Sequence, residues 1–152
     1  MRNNLTAHEI FESGFNCAQS ILYAYGKEYF KDTDSALRLA SGFGAGISYR
    51  GEMCGAVSGA LMVLGLHYGY SDLSREGTKD KLNAITREFL EVFHARHASV
   101  LCNRLLGASI NTEEGLEFAR KQDLFGQTCP GLIDSASAIL ERLIHKYQTI
   151  NS

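Results

Sequence analysis

The decisive stretch of this sequence is RGEMCGAVSGAL, residues 50–61, in which a cysteine lies among glycines spaced four residues apart. Glycine in a helix interior costs about 1 kcal/mol relative to alanine, so its repeated use here requires a reason. In a helix this spacing leaves a smooth stripe along one face, which a second helix can approach closely. We therefore predict a buried helix from about Glu52 to His67, with Cys54 in its first turn and a stripe formed by Gly51, Gly55 and Gly59.

Helix signals dominate the sequence on both sides of this stretch, and alternating β-branched runs are nearly absent. The predicted helix starts are Thr6, Asn16, Asp32 or Asp34, Thr78, Ser99, Asn111 and Pro130. The helix from Thr78 to about His97 has one apolar stripe, formed by Leu82, Ile85, Phe89, Val92 and Phe93. The sequence predicts an all-α, single-domain multi-helix bundle over residues 1–152. A glycine-rich loop, SGFGAGISYRG (residues 41–51), precedes its buried central helix.

Composition and charge exclude several classes of function. The chain has 152 residues, of which 45% are hydrophobic and 21% charged, and its formal net charge is −2. These values are typical of a soluble globular domain, and without a block of Lys or Arg we expect no nucleic-acid partner. The longest apolar stretch, residues 53–66, is shorter than the roughly 20 residues that span a membrane, and residues 1–14 lack the apolar centre of a signal peptide. We expect a cytoplasmic protein with no membrane partner.

The candidate functional residues are the four cysteines, Cys17, Cys54, Cys102 and Cys129. No two of them form a C-x-x-C pair, which argues against a zinc ribbon, a thioredoxin motif and a c-type haem site. Free cysteine often serves only as a small buried apolar residue, so core packing is an alternative for each of them.

The predicted helices bring three or four of these thiols to helix N-termini. Cys17 is the first residue of its helix, Cys54 lies in a first turn, and Cys129 takes the cap position before Pro130. Cys102 also lies in a first turn if Ser99 caps a new helix. Unpaired N–H groups and the positive end of the helix dipole favour a thiolate over a thiol, and such positions lower the pKa of cysteine. The glycine-rich loop can add further amides, because glycine adopts positive φ readily.

Four segments of the sequence resemble the C-GCAxxG-C-C family of redox-active proteins, which four separated cysteines define. They are GFNCAQSIL around Cys17, GEMCGAVSGALMVLGLHYG around Cys54, LCNRLLG around Cys102 and CPGLIDSASAIL around Cys129. The resemblance extends roughly from Glu9 to Leu143, and the second motif departs from the family label because it reads Cys-Gly-Ala-x-x-Gly. It implies redox-active cysteines, as disulfide-forming thiols or as ligands of a cluster, and it supplies no substrate.

Two chemistries use the same four residues. In the first, the thiols cycle between dithiol and disulfide, and the sequence does not choose among the three possible pairings. In the second, all four thiolates are the metal ligands of a [2Fe–2S] or [4Fe–4S] cluster, with backbone amides near Gly51 and Gly55 contributing to cofactor binding. A structural zinc site ranks third, because its ligands usually come in closely spaced pairs.

The alternative from a different class is a non-enzymatic helical binding or scaffold protein with four unconnected buried cysteines. A redox centre requires two cysteines with Cα atoms roughly 4.4–6.8 Å apart, or four sulfurs that converge on one small volume. The redox partner stays unidentified, and a glycine-rich helix face also suits a homo-oligomer interface.

Overall fold

Eight right-handed α-helices make up most of the chain in a computed structural model, which describes residues 4–151. They are α1 (Ala7–Glu12), α2 (Cys17–Gly26), α3 (Asp34–Ala40), α4 (Gly55–Tyr68), α5 (Thr78–His97), α6 (Cys102–Leu106), α7 (Glu113–Lys121) and α8 (Leu124–Asn151). Short 3₁₀ turns follow α2 (Lys27–Tyr29) and α3 (Ser41–Phe43). Residues 4–151 contain no strand, so the predicted all-α fold is confirmed. Within that range, no helix is both long and apolar enough to cross a membrane.

Helix α4 is the central helix, and α2, α5 and α8 pack around it. Its first six residues are all buried, as expected for a helix that is hydrophobic on every side. The closest packing is against α2, where a Cβ on Gly59 would lie 2.8 Å from the carbonyl oxygen of Ala18. A Cβ on Gly55 would lie 3.1 Å from the amide nitrogen of Ala18. The predicted close approach of a second helix is therefore confirmed at both glycines.

The glycine stripe is shorter than predicted, because α4 begins at Gly55 and not at Glu52. Gly51 lies outside the helix with a φ of 72°, a left-handed conformation that favours glycine. The side-chain amide of Asn103 occupies the place that a Cβ on Gly51 would take. Gly51 thus allows the loop before α4 to pack against α6, and Cys54 becomes the residue that precedes α4.

The first two helices begin as their capping sequences predict. Thr6 accepts a hydrogen bond from the N–H of Glu9 at 3.2 Å, and the Glu9 carboxylate accepts one from the N–H of Thr6 at 2.8 Å. Asn16 and Gln19 make the same reciprocal pair, at 2.9 and 3.0 Å. These bonds satisfy N–H groups that have no partner within the helix. The second pair establishes Cys17 as the first residue of α2.

The apolar stripe of α5 contributes large side chains to the core. Ile85, Phe89 and Phe93 are fully buried, and the neighbouring Leu82 and Val92 are partly buried. Burial of each large apolar side chain stabilises the fold by about 1.5–3 kcal/mol. Helix α8 packs against both α4 and α5, so that three helices share this part of the core.

The C-terminal helix is longer than predicted. Helix α8 begins at Leu124, so Pro130 lies inside it and Cys129 is an interior residue, not a cap. Proline lacks an N–H group, and the carbonyl of Gly126 consequently loses its usual helical donor. The helix continues through this position because its core-facing side chains, Cys129 and Leu132 among them, are buried. Tertiary packing here overrides a local signal that is typical of a helix start.

Two other predicted helix starts are displaced by a few residues. Helix α6 begins at Cys102, with Leu101 before it, and Ser99 instead accepts a hydrogen bond from the N–H of Leu101 at 3.0 Å. Helix α7 follows Thr112, whose hydroxyl accepts a hydrogen bond from the N–H of Gly115 at 3.0 Å. Cys102 therefore lies in a first turn, although the serine does not cap that helix.

The segment predicted as a glycine-rich loop contains a left-handed helical turn, residues 45–49. All five residues have positive φ, between 47 and 70°, and only Gly46 among them is glycine. Such a conformation costs roughly 1–2 kcal/mol for each L-residue with a side chain. Hydrogen bonds close the turn, from the N–H of Ser48 to the carbonyl of Gly44 and from the N–H of Glu52 to the carbonyl of Gly46, each at 2.9 Å. The sequence predicts positive φ at the glycines of this segment, and the structure extends it to four residues that are not glycine.

Candidate thiol site

The four cysteines line one small cavity at a place where four helices meet. Cys17 begins α2, Cys54 precedes α4, Cys102 begins α6, and Cys129 lies inside α8. All four are buried, with 4–8% of each residue exposed, and all four are free thiols. This is the convergence on one volume that a redox centre requires. The scaffold alternative assumed four unconnected cysteines, whereas these four line the same cavity.

Close packing of α2 on α4 brings Cys17 to the cavity. A Cβ on Gly55 would lie 3.1 Å from the Cβ of Cys17, so the absence of a side chain permits this contact. Gly55 itself lines the cavity. The glycine beside Cys54 therefore positions a different cysteine, that of the facing helix.

Two extended segments hold Cys54 and Cys102 near one another. Met53 and Leu101 form an isolated antiparallel bridge between these segments. The N–H of Cys54 donates a hydrogen bond to the carbonyl of Val100 at 2.8 Å. The N–H of Cys102 donates one to the carbonyl of Glu52 at 2.6 Å. The positions of both cysteines therefore depend on backbone hydrogen bonds as well as on helix packing.

The left-handed turn (residues 45–49) contacts two of the cysteines. The backbone N–H of Ala45 donates a hydrogen bond to the sulfur of Cys17. A Cβ on Gly46 would lie 2.7 Å from the Cβ of Cys102, so this position admits only glycine without a shift. The unusual backbone conformation thus supplies a hydrogen-bond donor and a close contact at the thiol site.

One sulfur differs electrostatically from the other three. The thiol of Cys129 donates a hydrogen bond to Cys17 and thereby lowers the pKa of Cys17; burial opposes this effect, and the N–H groups of Cys17 and Ala45 reinforce it. The pKa of Cys129 is raised, first by this hydrogen bond and then by burial. Burial, followed by the charge on Cys17, raises the pKa of Cys54 and of Cys102 to about 12. Cys17 therefore ionises first, and burial together with the interactions with Cys17 keeps the other three thiols protonated.

The cavity between the thiols is small and apolar. Its volume is about 20 Å³, enough for one water-sized molecule. Besides the cysteines, the lining residues are Ala45, Gly55, Leu105, Leu106, Phe125 and Leu132. None of these lining residues has a charged side chain, so the thiols are the polar side chains of the cavity.

The donor set matches an iron–sulfur cluster, but the available space does not. Four cysteine thiolates are the usual ligands of such clusters. A cavity of about 20 Å³ would have to widen, with the sulfurs moving apart, before several iron and sulfide ions could enter. Among residues 4–151, no group of three or more His, Cys, Asp or Glu side chains is placed to hold a metal ion. The cavity as it stands is too small for a cluster, and it favours chemistry between neighbouring sulfurs.

The two glycines predicted to bind a cofactor have different positions. Gly55 lines the cavity, whereas Gly51 is not among its lining residues and packs against the side chain of Asn103. Sequence reasoning missed Ala45 and Phe125, which also line the cavity. Alanine carries no local signal for a φ of 53°, and an apolar residue on an amphipathic helix is not distinguishable from ordinary core.

Fold and site together define a class of protein, an all-α domain in which four cysteines, three in helices and one directly before a helix, share a cavity. A family model described as "Putative redox-active protein (C_GCAxxG_C_C)" matches residues 15–143. This match covers most of the chain, and the protein belongs to that family, so the resemblance of the four cysteine segments is confirmed. Neither the curated proteins nor the solved structures contain a match to the chain.

Proposed function

We propose that this protein is a dithiol–disulfide redox protein whose reactive pair is Cys17 and Cys129. The observation that carries the proposal is the single small cavity that all four buried cysteines line. Within it, Cys17 and Cys129 are the pair whose pKa values shift in opposite directions through their mutual hydrogen bond. Neighbouring thiols need little motion to reach the distance of a sulfur–sulfur bond. Membership of a family described as redox-active supports the same class of function.

The two cysteines have different roles in this proposal. Cys17 is the nucleophile, because its pKa is lowered and the thiolate is the reactive form. It attacks an external two-electron oxidant, a disulfide or a peroxide, and carries part of that oxidant as a covalent adduct. Cys129 then attacks the sulfur of Cys17, the adduct leaves, and the disulfide forms. Two thiol protons are released from the pair, and two electrons pass to the oxidant.

Cys54 and Cys102 remain protonated during this cycle. Burial and the charge on Cys17 raise the pKa of both to about 12, so neither competes as a nucleophile at neutral pH. Their S–H groups instead form part of the surroundings of the Cys17 thiolate. We expect them to adjust the reduction potential of the pair without being oxidised themselves.

Mass spectrometry of the cross-linked peptides tests the pairing. Reduced protein is equilibrated in buffers of graded dithiothreitol and oxidised dithiothreitol, quenched with acid, alkylated and digested. We expect a peptide containing Cys17 to be linked to one containing Cys129. Cys17→Ser and Cys129→Ser should each abolish this link, while Cys54→Ser and Cys102→Ser, which also replace one buried thiol, should retain it.

Three results would contradict the proposal. A disulfide between Cys54 and Cys102, or a protein that stays fully reduced in oxidising buffer, would remove the Cys17–Cys129 pair from the reaction. Bound iron after anaerobic purification, with visible absorption between about 400 and 460 nm, would instead assign the four cysteines to a cluster.

A further inference from the structure

Three residues of the cavity wall reach the surface of the protein. Of the residues that line it, Ala45, Leu105 and Phe125 are partly exposed, and the others are buried. The ring of Phe125 meets that of Tyr49 at 75°, with ring centroids 6.2 Å apart. The guanidinium of Arg120 lies 5.8 Å from the centroid of the Tyr49 ring. A chain of side-chain contacts therefore holds the Phe125 ring at the boundary between the thiols and solvent.

The backbone also restrains this boundary. Tyr49 is the last residue of the left-handed turn (residues 45–49), with a φ of 67°. The same turn packs through Gly46 against Cys102 and donates a hydrogen bond from Ala45 to the sulfur of Cys17. Movement of Tyr49 away from Phe125 is therefore coupled to contacts at the thiols themselves.

The cavity limits the size and charge of any molecule that reaches Cys17 while Phe125 stays in place. About 20 Å³ accommodates one water-sized molecule, and the lining outside the thiols is carbon. Transfer of a charged group into such surroundings is strongly unfavourable. Among two-electron oxidants of thiols, hydrogen peroxide, with two heavy atoms and no charge, comes nearest to this size, whereas a peptide disulfide is many times larger.

We infer that the oxidant of the Cys17–Cys129 pair is a small uncharged peroxide, and that Phe125 determines this specificity by excluding larger oxidants. The inference rests on the proposed dithiol–disulfide function and names its substrate class. Cys17 and Cys129 have only 8% and 5% of their surface exposed, so a cysteine of a second protein cannot reach either sulfur directly.

The reaction balances with hydrogen peroxide as the oxidant. The Cys17 thiolate attacks one peroxide oxygen, the O–O bond breaks, and Cys17 becomes a sulfenic acid while hydroxide leaves. The Cys129 sulfur then attacks the Cys17 sulfur, the S–O bond breaks, and the thiol proton leaves with the hydroxyl group as water. A small external dithiol, admitted when the Phe125 ring moves aside, reduces the resulting disulfide by exchange and is itself oxidised to a disulfide.

Three oxidants of different size test this inference on the full-length reduced protein. Hydrogen peroxide, cumene hydroperoxide and oxidised glutathione are each mixed with the protein, and the Cys17–Cys129 peptide is quantified over time. Cumene hydroperoxide carries the same O–O group as hydrogen peroxide beside a bulky substituent, so it separates size from chemistry. Each rate is divided by the rate at which the same oxidant reacts with a free thiol in solution. After this normalisation, we expect hydrogen peroxide to react about tenfold to a hundredfold faster than cumene hydroperoxide.

The variant Phe125→Ala should open the boundary and reduce this selectivity by about tenfold. Phe118→Ala is the matched control, because Phe118 is half exposed and does not line the cavity. Tyr49→Ala, which removes the ring that contacts Phe125, should reduce the selectivity in the same direction and provides a second test if Phe125→Ala does not fold. Circular dichroism spectra verify that each variant retains its helices.

The possible outcomes distinguish this inference from the proposed function. Equal normalised rates for the two peroxides in the unmodified protein would overturn the role of the boundary, while the disulfide itself would still form. Unchanged selectivity in folded Phe125→Ala and Tyr49→Ala would do the same. Absence of the Cys17–Cys129 disulfide with every oxidant would instead refute the proposed function.

Discussion

Substitution of Gly59 by alanine should destabilise the fold, although alanine is the better helix former. The new Cβ would lie 2.8 Å from the carbonyl oxygen of Ala18 and 3.0 Å from the Cβ of Ile21. Since ordinary van der Waals contact begins at 3.4 Å, α2 and α4 must separate by about 0.6 Å. Overpacking of this kind costs about 1–3 kcal/mol, and the obstacle here is backbone, which cannot rotate away. The gain in helix propensity offsets about 1 kcal/mol, so we expect a net loss of up to about 2 kcal/mol.

A second glycine of α4 provides the matched control. Gly65 lies in the same helix, but a Cβ there would have no atom within 4 Å, so Gly65→Ala should stabilise the protein by about 1 kcal/mol. The difference between the two variants cancels the propensity gain and isolates the steric cost. Urea unfolding followed by circular dichroism measures both free energies of unfolding at a shared m-value. If Gly59→Ala proves as stable as Gly65→Ala, close packing does not explain the glycine at this position.

Three further predictions concern the thiols, the left-handed turn and a surface histidine. Cys129→Ala removes the hydrogen-bond donor to Cys17 and should raise the pKa of Cys17, whereas Cys129→Ser keeps a donor and should preserve part of the lowering of that pKa. The ultraviolet absorbance of the thiolate across a pH titration measures the pKa of Cys17 in both variants. Coincident titration curves for the two variants would argue against the donor role of Cys129. Ile47→Gly relieves a β-branched residue at a φ of 70° and should raise the free energy of unfolding by about 0.5–1 kcal/mol in urea, so a clear loss would show that the side chain stabilises the turn. A hydrogen bond to Asp134 raises the pKa of His8. The interaction of the protonated His8 with Asp134 therefore stabilises the folded state fully below the ordinary pKa of 6.5, and this stabilisation is lost as the pH rises through the raised pKa. His8→Gln should remove this pH dependence of the unfolding midpoint, and matching profiles for the two proteins would contradict it.

The parts of the fold that depend on local chemistry could be predicted from the sequence. Thr6 and Asn16 bond to groups three residues away, so the capping boxes identified the starts of α1 and α2 correctly. The spacing of Gly55 and Gly59 indicated a close helix contact, because glycines four residues apart lie on the same face of a helix and leave it without side chains. The partner helix could not be identified from spacing, since that depends on packing between distant segments.

Two features of the site depend on contacts that are remote in sequence. Pro130 is typical of a helix start, but α8 runs through it, with Cys129 before it and Leu132 after it both buried in the core. The left-handed turn is unfavourable locally, and bonds to Glu52 and the fit of Gly46 against Cys102 hold it in place. Sequence reasoning therefore identified the four cysteines but not the backbone that surrounds Cys17.

The large separation of the cysteines along the chain has a thermodynamic consequence. A Cys17–Cys129 bond would close a loop of about 110 residues, which removes about 4–5 kcal/mol of chain entropy from the unfolded state. In a thermodynamic cycle, the same free energy makes the disulfide harder to reduce in the folded chain than in the unfolded chain, by about 100 mV. Oxidation would therefore lengthen the lifetime of the protein against proteases that act on unfolded chains, so that its abundance would record its earlier exposure to oxidants.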